Sequence, residues 1–188
     1  IRDNYVTGTG ETTEVVFQGT RQVRFLNNVV TEGGRHNMLI IKPDKGDGGF
    51  ANPDGPRSEK VLLAGNSISR AGHQPAGSFS NRQIVFRGNV FHNMIGRNTG
   101  LNGDVGAVFE ENLVASAAWG PKSASPAAKF TVQHGIFRFN ELYRNHGRPV
   151  ITSPYSAFNS PAGPLRVYNN VFARQDDTVG YMLWDRPG

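Results

Sequence analysis

The sequence predicts an all-β solenoid, in which about seven similar coils stack into a parallel β-helix. The first observation is an asparagine that recurs with an apolar residue three positions before it and another two positions after it. The seven copies are separated by 24, 38, 23, 23, 28 and 30 residues, which indicates a short repeat lengthened by insertions. The recurring asparagines are Asn4, Asn28, Asn66, Asn89, Asn112, Asn140 and Asn170.

Composition is the second observation. The chain of 188 residues is 37% hydrophobic and contains 23 Gly and 11 Pro, which suits a β-rich protein with many tight corners and excludes disorder. A leucine-rich repeat has a similar asparagine pattern, but Leu is scarce here and no repeat contains a helical stretch of about ten residues. We therefore predict one β-helix domain over residues 1–188, forming part of a longer chain.

Three short strands per coil are the third observation, and they predict a triangular cross-section with three parallel sheets. Strands that lead into the asparagine, here called leading strands, are predicted at 22–26, 60–63, 83–87, 106–110, 135–138 and 165–168. Trailing strands follow the asparagine at 5–7, 29–31, 67–69, 90–92, 113–115, 141–143 and 171–173. Connecting strands complete each coil at 13–18, 36–42, 77–80, 101–104, 129–133, 149–153 and 179–184.

The asparagines are predicted to form an internal ladder at one corner of the coil. An Asn amide both donates and accepts hydrogen bonds, and Asn tolerates the left-handed backbone that a tight corner needs. Coils one strand spacing apart, about 4.8 Å, place identical side chains over one another. We expect these asparagines to be buried and structural.

Three insertions rich in Gly, Pro, Ser and Ala are predicted to be loops. Residues 43–59 and 154–164 lie between a connecting and a leading strand, and residues 116–128 lie before a connecting strand. Loops gathered on one side of a solenoid often build its binding face. The working face is therefore expected to border the connecting sheet.

The repeats resemble a known family. Segments such as Ile84–Phe91 (IVFRGNVF), Ala107–Val114 (AVFEENLV) and Leu165–Phe172 (LRVYNNVF) look like coils of right-handed parallel β-helix proteins of the pectate-lyase-like superfamily. That fold is shared by lyases, hydrolases, epimerases, phage tailspikes and adhesins, so the resemblance is more specific for fold than for function. It implies a polysaccharide ligand along the sheet that precedes the Asn-corner strand.

Charge favours an anionic partner. The net charge is +5 and the sequence pI is about 9.8, although Lys and Arg do not cluster into a run. An acidic polysaccharide fits both this charge and the resemblance, and neither a nucleic-acid partner nor a membrane span is expected. Cysteine is absent, and no Walker loop or zinc motif occurs. We expect a secreted or cell-surface protein.

Cutting a uronate polymer by elimination needs a base near the C5 proton and a cation that neutralises the carboxylate. Polar residues on or beside the connecting strands are the catalytic candidates. They are His36, Lys42, His134 and Arg148. Carboxylates of the long Gly-rich insertion, Asp44 and Asp47, are the candidate ligands of a calcium ion, the one cofactor that the sequence suggests.

Substrate-binding candidates lie near the same sheet. Arg35 and Gln133 flank connecting strands, and Arg144 and His146 belong with Arg148 to the densest basic cluster, which could clamp a carboxylate or sulfate. Aromatic rings can cover the face of a pyranose, and two that fall in insertions are candidates for this role. They are Trp119 and Tyr155.

Hydrolysis would instead need two carboxylates across the groove. The candidates are Asp104, Glu110, Glu111, Asp176 and Asp177, and Glu110 is expected in a leading strand, away from the groove at the connecting sheet. The Asn-Thr-Asp, Asp-Asp and Gly-His-Gly sets of polygalacturonase-like proteins are not in register, and the pectate-lyase-like Arg-x-Pro-x-x-Arg is missing. The function expected is a lyase- or hydrolase-like depolymerase; the alternative is a non-catalytic module of an adhesin, tailspike or surface fibre.

The ends of the repeat pattern carry a further expectation. Ile1 lies three residues before an asparagine corner, and 179–184 is an apolar strand, so neither end shows a polar cap. Uncapped coils expose unpaired strand edges. We therefore expect either additional chain or end-to-end association with another subunit.

Overall fold

The structure is a computed structural model of the chain, and it describes residues 1–8, 15–33, 38–44, 56–72, 75–94, 99–115, 128–144, 150–152 and 165–173. The described residues wind as a parallel β-helix, because each strand pairs in parallel with the equivalent strand of the next coil. The strands are β1 (Tyr5–Thr7), β2 (Val15–Gln18), β3 (Arg24–Leu26), β4 (Val29–Thr31), β5 (Leu39–Lys42), β6 (Glu59–Ala64), β7 (Ser67–Ser69), β8 (Ala76–Phe79), β9 (Arg82–Arg87), β10 (Val90–His92), β11 (Thr99–Val105), β12 (Val108–Glu110), β13 (Leu113–Ala115), β14 (Ala128–Gln133), β15 (Gly135–Arg138), β16 (Glu141–Tyr143), β17 (Val150–Thr152), β18 (Leu165–Tyr168) and β19 (Val171–Ala173).

These strands form the three predicted parallel sheets. The trailing sheet runs β1-β4-β7-β10-β13-β16-β19, and its seven strands have the predicted bounds. The leading sheet contains β3, β6, β9, β12, β15 and β18, and the connecting sheet contains β2, β5, β8, β11, β14 and β17. Strand β11 continues around a corner and pairs with β9 through Val105 and Arg82, so the leading and connecting sheets are continuous there. The strand predicted at 179–184 lies outside the described residues.

Stacked aromatic rings fill the interior. Strand alternation turns one apolar side chain of each leading strand inward, and the parallel register places Phe86, Phe109 and Phe137 over one another. The rings of Phe109 and Phe137 are parallel, with centroids 5.2 Å apart, and Phe91 and Phe130 pack against them from the other two sheets. The core is therefore continuous along the helix axis, as a solenoid requires.

The repeated asparagines form a hydrogen-bonded ladder. From Asn4 to Asn140, each side-chain Nδ2 donates to Oδ1 of the next asparagine over 2.9–3.1 Å, and each backbone N–H donates to the same oxygen. From Asn66 to Asn140, the other hydrogen on each Nδ2 is donated to a main-chain carbonyl oxygen of the preceding coil. These four asparagines and Asn28 are buried, so the ladder satisfies polar groups inside the corner.

A second polar stack occupies the corner between the connecting and leading sheets. Ser58 N–H donates to Asn81 Oδ1 at 3.0 Å, and Asn81 N–H donates to Asp104 Oδ1 at 2.8 Å. Asp104 also accepts a hydrogen bond from Ser78 Oγ at 2.8 Å and is fully buried. The expectation that Asp104 is a groove carboxylate is therefore wrong, because its side chain holds together neighbouring coils inside the protein.

Candidate functional site

A groove lies over the outer face of the leading sheet, across strands β3, β6 and β9. Its volume is about 740 Å³, and it is open along the surface of the helix. The residues that line it are Gln22, Arg24, Lys60, Val61, Leu62, Gln83, Val85 and Arg87. This location corresponds to the sheet that precedes the asparagine corner, rather than to the connecting sheet favoured by the insertions.

Strand alternation explains the floor of the groove. Inward-facing Phe25, Leu63 and Phe86 occupy one register position, so the residues before them face outward. The outward residues at that preceding position are Arg24, Leu62 and Val85. The floor consequently joins a cationic side chain to two half-buried aliphatic ones.

A column of left-handed corner residues forms one edge of the groove. Gln22, Lys60 and Gln83 have φ values of 56°, 56° and 53°, and the next two corners place Gly106 and His134 at 67° and 52°. The register Val105↔Gln133 aligns these last two corners. A left-handed backbone is uncommon for side chains other than Gly, Asn and Asp, so this corner is imposed by the coil rather than by local propensity. It turns exposed polar side chains toward the edge of the sheet.

The opposite edge carries a ladder of charges. Glu110 is 2% exposed and lies between two arginines. Arg87 Nε donates to Oε1 at 2.6 Å, with Nη2 in ion-pair contact with the same oxygen at 2.5 Å; Arg138 Nε donates to Oε2 at 2.8 Å, with Nη2 in ion-pair contact at 2.7 Å. Arg138 Nη1 also donates to the Tyr168 hydroxyl at 3.0 Å. Each guanidinium therefore contacts one carboxylate oxygen through two nitrogens, and these contacts orient both arginines, including Arg87 at the edge of the groove.

Ionisation of this carboxylate is favoured. Burial disfavours the charged form of Glu110, but hydrogen bonds from Arg138 and Arg87, together with their charges, outweigh burial and lower its pKa. The hydrogen bond to Glu110, followed by that to Tyr168, raises the pKa of Arg138. The cluster therefore carries one negative and two positive charges, a net charge of +1.

The groove is built to attract anions. Arg24, Lys60 and Arg87 supply three positive charges, and Gln22 and Gln83 supply amide donors and acceptors. Among the described residues, no carboxylate, histidine or aromatic side chain lines the groove. Glu110 ends leading strand β12, as predicted, and lies beside Arg87 on the outer face of that sheet, which is the sheet that carries the groove.

Besides the carboxylates Asp104, Glu110 and Glu111, five of the residues singled out in the sequence are described, and the structure spreads them over different places. Lys42 ends β5, and Asp44 just beyond it accepts a hydrogen bond from Gln18 Nε2 at 2.9 Å. Gln133 ends β14, and the exposed His134 forms the next left-handed corner, in the same column as Lys60. Arg144 follows β16 at a different corner, with its guanidinium 5.5 Å from the Tyr143 ring centroid. Only His134 shares an edge with the groove.

The other predicted site residues lie outside the described residues. They are Arg35, His36, Asp47, Trp119, His146, Arg148 and Tyr155, together with Asp176 and Asp177. The groove residues were missed because individually they look like ordinary surface charges. Aligning the repeats on their asparagines would have placed Arg24, Arg87 and Arg138 on the outer face of one sheet.

Two further findings concern metals and membranes. Within the described ranges, no three side chains among His, Asp and Glu come together in a way that could hold a metal ion, so calcium binding at Asp44 and Asp47 stays a prediction. In that same part of the chain, no helix has the length and hydrophobicity to cross a lipid bilayer.

Comparison with known proteins identifies the fold. No family model matches the sequence, and no curated protein matches it. The chain aligns with the A-module of a mannuronan C-5 epimerase from Azotobacter vinelandii with a TM-score of 0.66 and 11% identity, over 99% of this chain and 57% of that one. It also aligns with the Streptococcus pneumoniae surface protein and adhesin PfbA with a TM-score of 0.44 and 13% identity, over 94% of this chain and 64% of that one. The first likeness confirms a right-handed parallel β-helix. The TM-score of the second is too low to support an argument.

Proposed function

We propose that this chain binds an acidic polysaccharide in the groove over the leading sheet. The observation that carries the proposal is the groove lining, in which Arg24, Lys60 and Arg87 surround an aliphatic floor; no described carboxylate lines the groove, although Glu110 pairs with Arg87 from beside it. Such a surface suits a polymer that presents regularly spaced negative charges and apolar C–H faces. Arginine also binds carboxylates through two parallel hydrogen bonds, which favours a uronate or a sulfated sugar.

The same lining argues against nucleic acid as the ligand. Proteins that bind single strands combine positive charge with aromatic rings on which bases stack. In the part of the chain that the structure describes, the floor of the groove is Leu62 and Val85, and no ring faces it. Aliphatic side chains pack well against a sugar but provide little stacking for a base.

If the protein cuts its ligand, the described residues favour elimination over hydrolysis. Elimination needs a cation at the uronate carboxylate, a role that Arg24 or Arg87 could fill, and a base at C5, for which the candidate is His134, two coils beyond the groove in the same column of corners as Lys60. Hydrolysis needs two carboxylates, but Glu110 is held by two arginines and Asp104 is buried. The proposed activity is therefore a lyase-like depolymerase, with a non-catalytic binding module as the alternative.

A substrate screen separates these two functions. Purified protein should be incubated with pectate, alginate, mannuronan and glycosaminoglycans, and products assayed for unsaturated ends, new reducing ends and inversion at C5. Mannuronan and the C5 readout are included because a protein with this fold is named for that reaction. Unsaturated ends that disappear in a His134→Ala variant that still binds the polymer would establish a lyase. Tight binding with no product on any substrate would establish the non-catalytic module.

Binding itself is tested with matched charge changes. Arg24→Ala with Lys60→Ala should weaken binding of an acidic polysaccharide by about three- to tenfold and reduce its salt dependence, since exposed ionic contacts are screened over about 8–10 Å. Arg70→Ala, on a different corner, is the control for an exposed cation and should leave affinity unchanged. Arg144→Ala with Arg148→Ala tests the predicted basic cluster separately. Unaltered affinity in the groove variant would reject the proposed site.

Cellular location follows from the proposed ligand. Acidic polysaccharides are found in cell walls and extracellular matrices, so we propose that the protein is secreted or displayed on the cell surface. End-to-end association of the helix remains a prediction, and light scattering of the purified protein would measure it.

A further inference from the structure

We infer that the polysaccharide lies along the helix axis, across all six strands of the leading sheet, and that Phe139 and Tyr168 form a sugar-stacking subsite at the far end. This inference rests on the proposed function and extends it. The groove over β3, β6 and β9 would hold one part of the polymer, and the aromatic subsite would hold sugars two to three coils beyond β9. The ligand would be a polymer whose sugars carry both an acidic group and an apolar face.

The aliphatic strip that forms the floor of the groove continues along the leading sheet past β9. The outward position that Leu62 and Val85 occupy is filled in the next two coils by Val108 and Ile136, which are half-buried. This strip of four aliphatic side chains has Arg24 at one end. At the other end, the same register position is filled by the exposed Arg166.

The aromatic subsite lies on the edge that carries the charge ladder. Phe139 and Tyr168 are 48% and 37% exposed, and their ring centroids are 6.0 Å apart in an edge-to-face arrangement. Arg138 lies 5.5 Å from the Phe139 centroid and 6.0 Å from that of Tyr168. Two exposed rings beside a fixed guanidinium can cover a pyranose face and bind its carboxylate at once.

The backbone at Phe139 supports a ligand role. Its φ is 54°, and the equivalent corner position in the other coils is filled by Asp3, Asn27, Gly65, Gly88, Glu111 and Asn169, of which all but Glu111 are residue types that tolerate this conformation. A bulky ring in the left-handed region is unusual and is disfavoured for stability alone. Retaining it on the surface, where its ring is half exposed, is typical of a binding residue.

Geometry sets the length of the ligand. Strands β3 to β18 are five spacings apart, which is about 24 Å at the ordinary interstrand distance of about 4.8 Å. An oligosaccharide must be at least this long to reach from Arg24 to Tyr168, whereas one shorter than about 10 Å, the two spacings from β9 to β15, cannot contact the cationic groove and the aromatic subsite together. Long oligosaccharides should therefore gain affinity from the aromatic subsite, whereas those that occupy only the groove should not.

The test is a length series of acidic oligosaccharides, of the type that wild-type protein binds, measured by calorimetry against two variants. Phe139→Gly removes one ring and suits the left-handed backbone, so it should fold; Tyr168→Ala removes the other. Each should weaken binding of oligosaccharides longer than the span by about two- to tenfold and leave short ones unchanged. The groove variant Arg24→Ala should weaken both lengths, and Tyr5→Ala, an exposed ring on the trailing sheet, is the matched control.

The outcomes distinguish this inference from the proposed function. Equal losses for short and long oligosaccharides in Phe139→Gly, or no loss for either, would overturn the aromatic subsite while groove binding stands. A length-dependent loss confined to Phe139→Gly and Tyr168→Ala would support it. If wild-type protein binds no acidic oligosaccharide of any length, both the proposed function and this inference are overturned.

Discussion

Asn112 donates two hydrogen bonds to one oxygen of Asn140: its backbone N–H lies 3.0 Å and its Nδ2 lies 3.1 Å from Asn140 Oδ1. The second Nδ2 hydrogen is donated to the carbonyl of Phe86 at 2.9 Å, and Asn112 Oδ1 accepts the equivalent pair from Asn89. Both residues are buried. One side chain therefore satisfies polar groups belonging to three coils.

Replacing Asn112 by Ala should lower the free energy of unfolding by about 1–3 kcal/mol, because buried donors and acceptors in adjacent coils lose their partners. Chemical denaturation of the variant and the wild type measures this loss. Asn4→Ala is the matched control at the ladder's exposed end, where water can replace the lost bonds, and it should cost less. An unchanged unfolding free energy in the Asn112 variant would show that the ladder does not stabilise the fold.

Glu110 should make stability depend on acid pH. Its folded-state pKa is lowered below the ordinary value of 4.5, so the unfolded chain binds more protons than the folded one in this range. The stabilisation is fully present above about pH 4.5 and is lost as the pH falls through the lowered pKa. The difference in unfolding free energy between wild type and Glu110→Gln, about 1–3 kcal/mol at neutral pH, should therefore shrink on acidification. A difference that stays constant from neutral pH to pH 3, roughly a unit or more below an ordinary Glu pKa, would contradict this.

Glycine at position 111 should stabilise the protein. Glu111 is exposed and has φ 58°, and the same corner holds Gly65 and Gly88 in neighbouring coils. A side chain in the left-handed region costs free energy in the folded state, and glycine removes that cost. We expect this gain to exceed the added conformational entropy of the unfolded chain, so Glu111→Gly should raise the unfolding free energy by about 0.5–1 kcal/mol. Glu141→Gly, at an exposed position of β16, should lower it, because glycine weakens a strand. Thermal melts of both variants give the two signs.

Truncation of the aromatic stack should be costly. Phe109 is buried and its ring lies 5.2–6.4 Å from those of Phe86, Phe91, Phe130 and Phe137. Phe109→Ala should lower the unfolding free energy by about 3–5 kcal/mol, because it leaves a cavity where three sheets meet. Phe109→Leu retains most of the volume and should cost clearly less. Similar losses in the two variants would mean that the coils collapse around the missing ring.

The interior of the protein could be predicted from the sequence because it depends on the repeat. An apolar residue three positions before an asparagine and another two positions after it identify the inward positions of two strands and the corner between them. Residues such as Phe86, Asn89 and Phe91 therefore have the predicted burial, and all seven trailing strands have the predicted bounds. A chain that stacks in register places each copy over the last.

The candidate site could not be predicted in the same way. A binding groove on a solenoid is assembled from outward positions of different coils, and those positions carry no common residue: Arg24, Leu62 and Val85 share one register column but no chemistry. The sequence favoured the loops beside the connecting sheet, whereas the described groove lies on the leading sheet. Predicted site residues such as His36 and Trp119 stay predictions.

What the sequence determined by itself was the β-helix and its internal asparagine ladder, since both follow from spacings along one chain. Only the tertiary structure decided that Glu110 lies between Arg87 and Arg138 and that Asp104 is buried in a corner. These contacts join residues 23 to 28 positions apart, and the insertions that separate the coils differ in length. The register between coils is set by the packing of the core, and that register decides which charges meet on the surface.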